Sequence, residues 1–421
     1  MERAQLNKVL KSTGCAEARG GHVFLCDPKW GARERDQFKK LAAAADKTPP
    51  PKTGWLCLST GGTSGRLRFA RHDEHTLSAA ARGFCEHYGL KRVNAVDVLP
   101  PFHVSGFMSR ARCAETGGTH MPWTWEDLKA GKFPKLPRRA DGWMLSLVPT
   151  QLHRLLSGGE RALIWLHQFK IIFLGGAPLW DALAVAAANA RLPVVLSYGM
   201  TETAAMVAAQ MPADFVAGRR DSGRPMPHAR IEIIDDAAKK NTPARDGEPG
   251  LVRIAGASLF RGYFGEDAGE TETAPDANPD GANQCGANSR GENSRGEKFF
   301  QTEDLAYWDE RGGLNIVGRR DAVIITGGKK VYPAEVETLL RSSGVFADIA
   351  VLGAPDPKWG QSVIACYPGK PGGRFDKARV ESALRPLASY KWPKRYVPVA
   401  DWPRNPQGKL SRAALLAHAQ A

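Results

Sequence analysis

The sequence predicts an α/β protein in two parts, a large N-terminal α/β domain over residues 1–318 and a smaller α+β domain over residues 319–421. Three observations predict it. Residues 141–202 alternate short β-branched apolar runs with helical patterns, the rhythm of a parallel sheet covered on both faces. After Gly318 short strand-like runs return together with two helical stretches, over a length that suits one small domain. No uninterrupted apolar run is long enough to span a bilayer, so the 43% hydrophobic content serves a core.

Taken in order, "GWLCLS" reads as a strand and "HDEHTLSAAARGFCEHYGL" as a helix with Asp73 at its cap. "RVNAVDVLP" and "WMLSLV" read as further strands. "PTQLHRLL" opens a helix with Pro149 in its first turn, where the missing N–H costs nothing. "KIIFLGG", the Ala-rich "PLWDALAVAAANA" and "LPVVLSYG" complete a strand–helix–strand unit, which folds as a right-handed parallel crossover. Residues 266–298 are Gly, Asn, Asp, Glu and Ser with almost nothing apolar, so burial cannot offset their ordering entropy, and a disordered, exposed insertion is expected. Beyond it, "AVIIT", "FADIAVLG", "QSVIACYPG" and "RYVPVADWP" read as strands, with helices at "AEVETLLRSS" and "DKARVESALRPLA".

Composition excludes several classes. The seven cysteines (Cys15, Cys26, Cys57, Cys85, Cys113, Cys285, Cys366) form no C-x-x-C pair, which predicts reduced thiols, a cytoplasmic location and no zinc site. The start lacks the apolar core of a secretory signal. H-E-x-x-H, G-x-S-x-G and the Walker A pattern are all missing. The net charge of +14 fits either a solvated basic surface or one suited to anionic ligands such as nucleotides or CoA. The basic residues are spread rather than interleaved with aromatics, so nucleic acid is not expected as a partner.

The chemistry lies in four stretches. "STGGTSGRLR" follows a strand with glycines that let backbone N–H groups converge, and with hydroxyls at Thr63 and Ser64 and a cation at Arg68; this suits a polyphosphate, although a plain Gly/Ser turn has the same look. "SYGMTE" places Tyr198, Thr201 and Glu202 at the carboxyl end of a buried strand, where open α/β sheets bind ligands. "QTEDLAYWDERGGLNIVGRRDAVIITGGKKVYPAEVE" carries Asp304, Arg319 and a Gly327–Gly328 turn. "PRNPQGKLSR" sets Lys409 in a glycine-bearing loop. Singly these carboxylates and this lysine read as solvated surface groups; their order along one chain is what makes them specific.

From about residue 55 onward the chain resembles the acyl-adenylate-forming superfamily of acyl- and aryl-CoA ligases, luciferases and peptide-synthetase adenylation domains. The family's T-S-G-[ST]-T-G-x-P-K loop is similar to Thr60–Arg68, its Y-G-x-T-E core to Tyr198–Glu202 and its T-G-D to Thr302–Asp304. Its G-R-x-D is similar to Gly318–Asp321, its G-G-x-x-V-x-P-x-E to Gly327–Glu335 and its G-K to Gly408–Lys409. The resemblance implies the adenylate-forming fold with a mobile C-terminal domain, and ATP, Mg²⁺ and coenzyme A as the molecules handled. It implies that Thr60, Gly61, Gly62, Thr63, Ser64, Gly65 and Arg68 hold the phosphates. Gly175, Gly176, Ala177, Pro178, Ser197, Tyr198, Gly199 and Met200 would border the adenine, and Asp304 and Arg319 the ribose. Lys409, His103, Thr201 and Glu202 would form the catalytic set, with Glu202 on Mg²⁺. Asp321 would be the hinge, and Gly327 and Gly328 would border the CoA tunnel.

Within the superfamily, "PPFHVSGFMSRARC" and "CDPKWGARERDQFKKL" look most like the 2-succinylbenzoate–CoA ligases of menaquinone and phylloquinone synthesis. That likeness implies an acid pocket served by His103, Arg110 and Ser197, with Arg112 also at a suitable spacing. Another aryl or acyl acid, or a carrier protein in place of CoA, stays open, and so does a homodimer. Three features depart from the family pattern: Leu67-Arg68 replaces Pro-Lys, Glu303 replaces the glycine of T-G-D, and the stretch before the phosphate loop is short, which implies a trimmed N-terminal part.

Overall fold

The computed structural model describes residues 2–60, 67–138, 140–176, 179–235, 243–245, 247–265, 290–292, 298–370, 372, 374–404 and 410–420. Among them the strands are β1 Ala16–Arg19, β2 His22–Leu25, β3 Leu56–Thr60, β4 Arg68–His72, β5 Ala95–Asp97, β6 His120–Pro122, β7 Trp143–Leu147, β8 Phe169–Leu174, β9 Val194–Met200, β10 Ala205–Ala209 and β11 Arg224–Pro225. They continue as β12 Ala229–Ile234, β13 Gly250–Gly256, β14 Arg290–Glu292, β15 Lys298–Trp308, β16 Leu314–Arg319, β17 Ile324–Thr326, β18 Lys329–Val331, β19 Ala350–Asp356, β20 Gly360–Pro368 and β21 Arg395–Val399.

The central sheet runs β11-β10-β9-β8-β7-β5-β6, parallel from β6 through β9 and antiparallel at β10 and β11. Period-two alternation sends its side chains to two separate cores. Leu145, Leu147, Ile172, Leu174 and Val194 pack with Leu152, Trp165, Leu183 and Phe215 on one face. Met144, Ile171, Phe173 and Val195 pack with Phe84 and Tyr88 on the other. Such two-sided burial is why these strands read as continuous apolar runs rather than alternating ones. The helix Pro149–Leu156 starts with Pro149, as expected. The helix Glu74–Tyr88 is capped by Asp73, whose side chain accepts from the His75 and Thr76 N–H groups.

A four-stranded sheet, β1-β2-β3-β4, brings the N-terminal residues beside the antiparallel β3–β4 pair. A further sheet, β12-β13-β15-β14 with β16 beside β15, is wholly antiparallel and has no counterpart in the parallel rhythm expected for the large domain. Its strands are separated in sequence by the polar 266–298 stretch. Most of that stretch lies outside the described residues, but Arg290–Glu292 pairs with β15. Strand pairing joins backbone groups and needs no apolar side chain, so a polar composition does not exclude it. After the 3₁₀ turn Arg320–Ala322, β18-β17-β20-β19 with β21 parallel to β20 packs beneath the helices Pro333–Ser342 and Lys377–Leu384. No helix among the described residues is long and apolar enough to cross a membrane.

Candidate active site

β3 and β4 are antiparallel, with Thr60 opposite Arg68, so the ends of the glycine loop are held one strand spacing apart. Gly61 to Gly65 themselves lie outside the described residues, as do Ala177, Pro178 and Lys409. The Leu67 N–H donates to Gln37 Oε1 at 2.6 Å, and the Arg68 guanidinium lies 3.7 Å above the Tyr263 ring.

β9 delivers Ser197, Tyr198, Gly199 and Met200 to the carboxyl edge of the parallel strands, and the 3₁₀ turn Thr201–Thr203 follows. The turn is over-determined. The Thr203 hydroxyl accepts from the Met200 N–H at 3.0 Å, and its proton faces the Met200 and Ala205 carbonyls. The buried His72 donates from Nε2 to the Thr201 carbonyl at 2.8 Å. Ala204 and Ala205 take positive φ values of 53° and 82°, a conformation non-glycine residues adopt only when their surroundings impose it. Gly199 is a glycine for a reason of space: a Cβ there would lie 2.0 Å from the Ala205 carbonyl oxygen.

Two carboxylates face this edge in different settings. Glu202 is 8% exposed and accepts from the Tyr263 hydroxyl at 2.7 Å. Burial raises its pKa, and the Tyr263 hydrogen bond only partly offsets that. Asp304, on β15, accepts from the Tyr198 hydroxyl at 2.7 Å, and its own N–H donates to Thr302 Oγ1. Burial, reinforced by the Asp304 charge, pushes the Tyr198 phenol well above its ordinary pKa, so it stays a donor. Strand pairing sets Arg319 opposite Asp304 at 3.8 Å, and Arg319 also binds Asp321 through two hydrogen bonds of 2.9 Å. The next pair, Arg320 to Glu303, is likewise two-pronged at 2.8 and 2.7 Å.

Two contact groups result: Tyr198, Asp304, Arg319 and Asp321 touch in series, and Arg68 and Glu202 are bridged by Tyr263; the chain from Tyr198 to Glu202, with Thr201 in the turn, connects the two. Gly175 continues β8, which pairs with β9, and its N–H donates to the Leu147 carbonyl; Gly176 follows with φ +80°. His103 starts the helix Val104–Thr116, its ring edge-on to Phe102 at 4.6 Å. Gly327 and Gly328 form the two-residue turn between β17 and β18 with φ values of +54° and +75°, which a primed hairpin turn requires.

Arg110 is not brought into this group. Its guanidinium binds Asp97 at 3.0 Å and the Ser12 carbonyl at 2.9 Å, tying the helix Val104–Thr116 to the first helix. Arg112 is buried over the Phe84 ring at 4.3 Å, and burial lowers its pKa to about 10. Two participants were not foreseen, Tyr263 and His72. Each reaches the turn through a contact distant in sequence; His72 stands among Arg71, Asp73 and Glu74 and Tyr263 between Gly262 and Gly265, but neither stretch shows by its composition which side chain turns toward Thr201 or Glu202.

Residues 3–264 match the family described as AMP-binding enzyme, and residues 335–409 match the AMP-binding enzyme C-terminal domain. A 2-succinylbenzoate–CoA ligase of Bacillus licheniformis is 31% identical over 368 residues, spanning 85% of this chain and 69% of that protein. An indoleacetate–CoA ligase of Aromatoleum aromaticum is 26% identical, spanning 88% of this chain and 68% of its own length. Among solved structures, the o-succinylbenzoate CoA synthetase of Bacillus subtilis in complex with its acyl-adenylate intermediate has the same fold. It superimposes with a TM-score of 0.69 at 24% identity, over 92% of this chain and 77% of that one. Matched over most of its length, with the Tyr198–Glu202 turn and the Asp304–Arg319 pair meeting at one sheet edge, the chain belongs to the AMP-binding enzyme family.

Proposed function

We propose that this protein is an ATP-dependent acid–CoA ligase and that its acid is 2-succinylbenzoate. One observation carries the first part: Tyr198, Asp304 and Arg319 form a fixed acceptor-and-cation pair beside buried Glu202, at the carboxyl edge of a parallel sheet where nucleotides bind. The second part is supported by the ligases named above, at up to 31% identity.

In the first step a carboxylate oxygen attacks the α-phosphorus of ATP and the bond to pyrophosphate breaks. In the second the CoA sulfur attacks the acyl carbon, AMP departs and the thiol proton is lost. A free carboxylate is a poor electrophile, and AMP as leaving group removes that difficulty.

Asp304 accepts from the ribose hydroxyls with its orientation set by Tyr198, and Arg319 lies beside the sugar. Gly175, Gly176, Ala177, Pro178, Ser197, Gly199 and Met200 border the base. Gly61 to Gly65 with Thr60 and Arg68 enclose the phosphates. Glu202 fits Mg²⁺ as a buried hard-oxygen donor whose carboxylate is oriented by Tyr263. Glu202 would hold the metal by one carboxylate with phosphate and water as the other ligands, the pattern Mg²⁺ favours, and the metal would neutralise phosphate charge. Thr201 and His103 face the reacting carboxylate, and Lys409 stabilises charge growing on it and on the α-phosphate. Asp321 is the hinge about which the small domain turns to bring Gly327 and Gly328 toward CoA. Arg110, anchored by Asp97 through Nε and with further N–H donors on its guanidinium, and Ser197 serve the acid's second carboxylate. The protein acts in the cytoplasm.

The test is pyrophosphate release with MgATP and 2-succinylbenzoate, with and without CoA, beside benzoate and fatty-acid controls. Thioester from 2-succinylbenzoate alone supports both parts. Turnover only with another acid removes the substrate assignment, and no turnover with any acid removes the ligase reading.

A further inference from the structure

The segment Phe260–Phe264 lies between the phosphate-loop strand and the Thr201–Thr203 turn, hydrogen-bonded to both. The Phe260 N–H donates to the Glu202 carbonyl at 2.8 Å. The Arg71 and Arg261 N–H groups donate to the Gly262 and Arg71 carbonyls at 2.9 and 2.7 Å, and the Phe264 N–H donates to the Phe69 carbonyl at 2.8 Å. Tyr263, opposite Ala70 in this extra bridge, is 6% exposed. Its ring meets Phe260 edge-on at 4.8 Å, and Phe260 meets Phe300 in the same way at 5.1 Å, so the ring plane is fixed by packing.

A fixed ring in this place does two things at once. Its hydroxyl donates to Glu202 Oε1, which fixes how the carboxylate is turned. Its face carries the Arg68 guanidinium at 3.7 Å. A planar, weakly hydrated guanidinium stacks on an aromatic face far better than a lysine ammonium does, so the family's lysine and this chain's Arg68 are not equivalent here. From this geometry we infer that Tyr263 is a positioning residue for the adenylation step, orienting the Glu202 carboxylate for the divalent cation and the Arg68 cation for the polyphosphate. The inference rests on the ligase reading above, but concerns residues that lie on one strand–turn–strand contact whatever the acid.

Tyr263→Phe keeps the ring, the edge-on contacts and the Arg68 stack, and removes only the hydroxyl. The expected result is a rise of about tenfold in the Mg²⁺ concentration for half-maximal pyrophosphate release, the scale of one hydrogen bond to a charged group. The rate at saturating Mg²⁺ should fall less than about threefold, the split expected when ground-state orientation is lost. Thioester formation from supplied acyl-adenylate should be unchanged. Binding is read separately by the Mn²⁺ electron paramagnetic resonance signal with ATP and no acid, where Mn²⁺ affinity should weaken by a similar factor. Arg68→Lys should raise the KM for ATP and leave Mn²⁺ affinity near that of the wild type. If wild-type protein releases no pyrophosphate with any acid, the ligase reading fails, and the Mn²⁺ comparison still decides the inference. Unchanged Mg²⁺ dependence and Mn²⁺ affinity in Tyr263→Phe would overturn it, as would equal losses in both half-reactions.

Discussion

Asp73 is fully buried, and its carboxylate is shared among three structural elements. Oδ1 accepts from the His75 and Thr76 N–H groups at 3.1 and 3.0 Å, closing the first turn of the helix Glu74–Tyr88. Oδ2 accepts from the Gly54 N–H at 3.2 Å and from Arg261 Nε at 2.8 Å. In Asp73→Asn the amide oxygen keeps the cap, while the NH₂ faces two donors. The buried Gly54 N–H then lacks an acceptor, about 1–2 kcal/mol. The lost Arg261 pair adds about 1 kcal/mol, discounted because the arginine side chain is 42% exposed. We therefore expect a loss of roughly 2–3 kcal/mol at neutral pH. Asp73→Ala should cost about 1 kcal/mol more, because the cap goes as well.

The pH dependence has a definite sign. Burial pushes the Asp73 pKa up, but hydrogen bonds from Arg261, Thr76 and Gly54 together with the Arg261 charge outweigh it and hold the carboxyl below its usual value. The stabilisation is therefore present above the unfolded-state pKa of about 4 and disappears as pH falls through the lower folded value. Urea unfolding followed by tryptophan fluorescence should show a wild-type-to-Asn gap that is constant from pH 7 to about 5 and narrows below about 4. Equal stability at pH 7, or a gap that widens in acid, would refute the reasoning.

Gly199→Ala places a Cβ 2.0 Å from a backbone oxygen that no side-chain motion can clear, so a loss of about 3 kcal/mol is expected in the unfolding midpoint. Tyr198→Phe removes one of the contacts that orient Asp304 and should raise the KM for ATP about tenfold, with the KM for the acid unchanged in steady-state kinetics. Glu303→Gln breaks the two-pronged contact with the half-exposed Arg320 and should lower stability by about 1 kcal/mol; wild-type stability in urea titration would show the pair contributes nothing. Lys409→Ala should slow acyl-adenylate formation by roughly 10²–10³-fold and spare thioester formation from supplied acyl-adenylate, so equal loss of both would contradict the two-state account.

Sequence alone determined what local chemistry determines. Short apolar runs became β7, β8 and β9, Asp73 became a cap, Pro149 opened its helix and Gly327–Gly328 became a turn, because each depends on neighbours within a few residues. Motif order was legible too: the resemblance pointed to Tyr198, Glu202, Asp304 and Arg319, of which Tyr198, Asp304 and Arg319 touch in the fold. The antiparallel β12–β16 sheet was not legible, since its strands pair across a long polar interval whose composition argues for no structure at all. Nor was the fate of Arg110, whose spacing from His103 suits a ligand contact as well as it suits the Asp97 it actually binds. Tyr263 is the clearest case. It sits 61 residues from Glu202 and almost 200 from Arg68, and only the folding of Phe260–Phe264 against β4 brings one ring to both. Side-chain type and spacing set which groups are available for chemistry. Which of them meet is decided by tertiary packing, because a hydrogen bond depends on separation in space and carries no memory of separation along the chain.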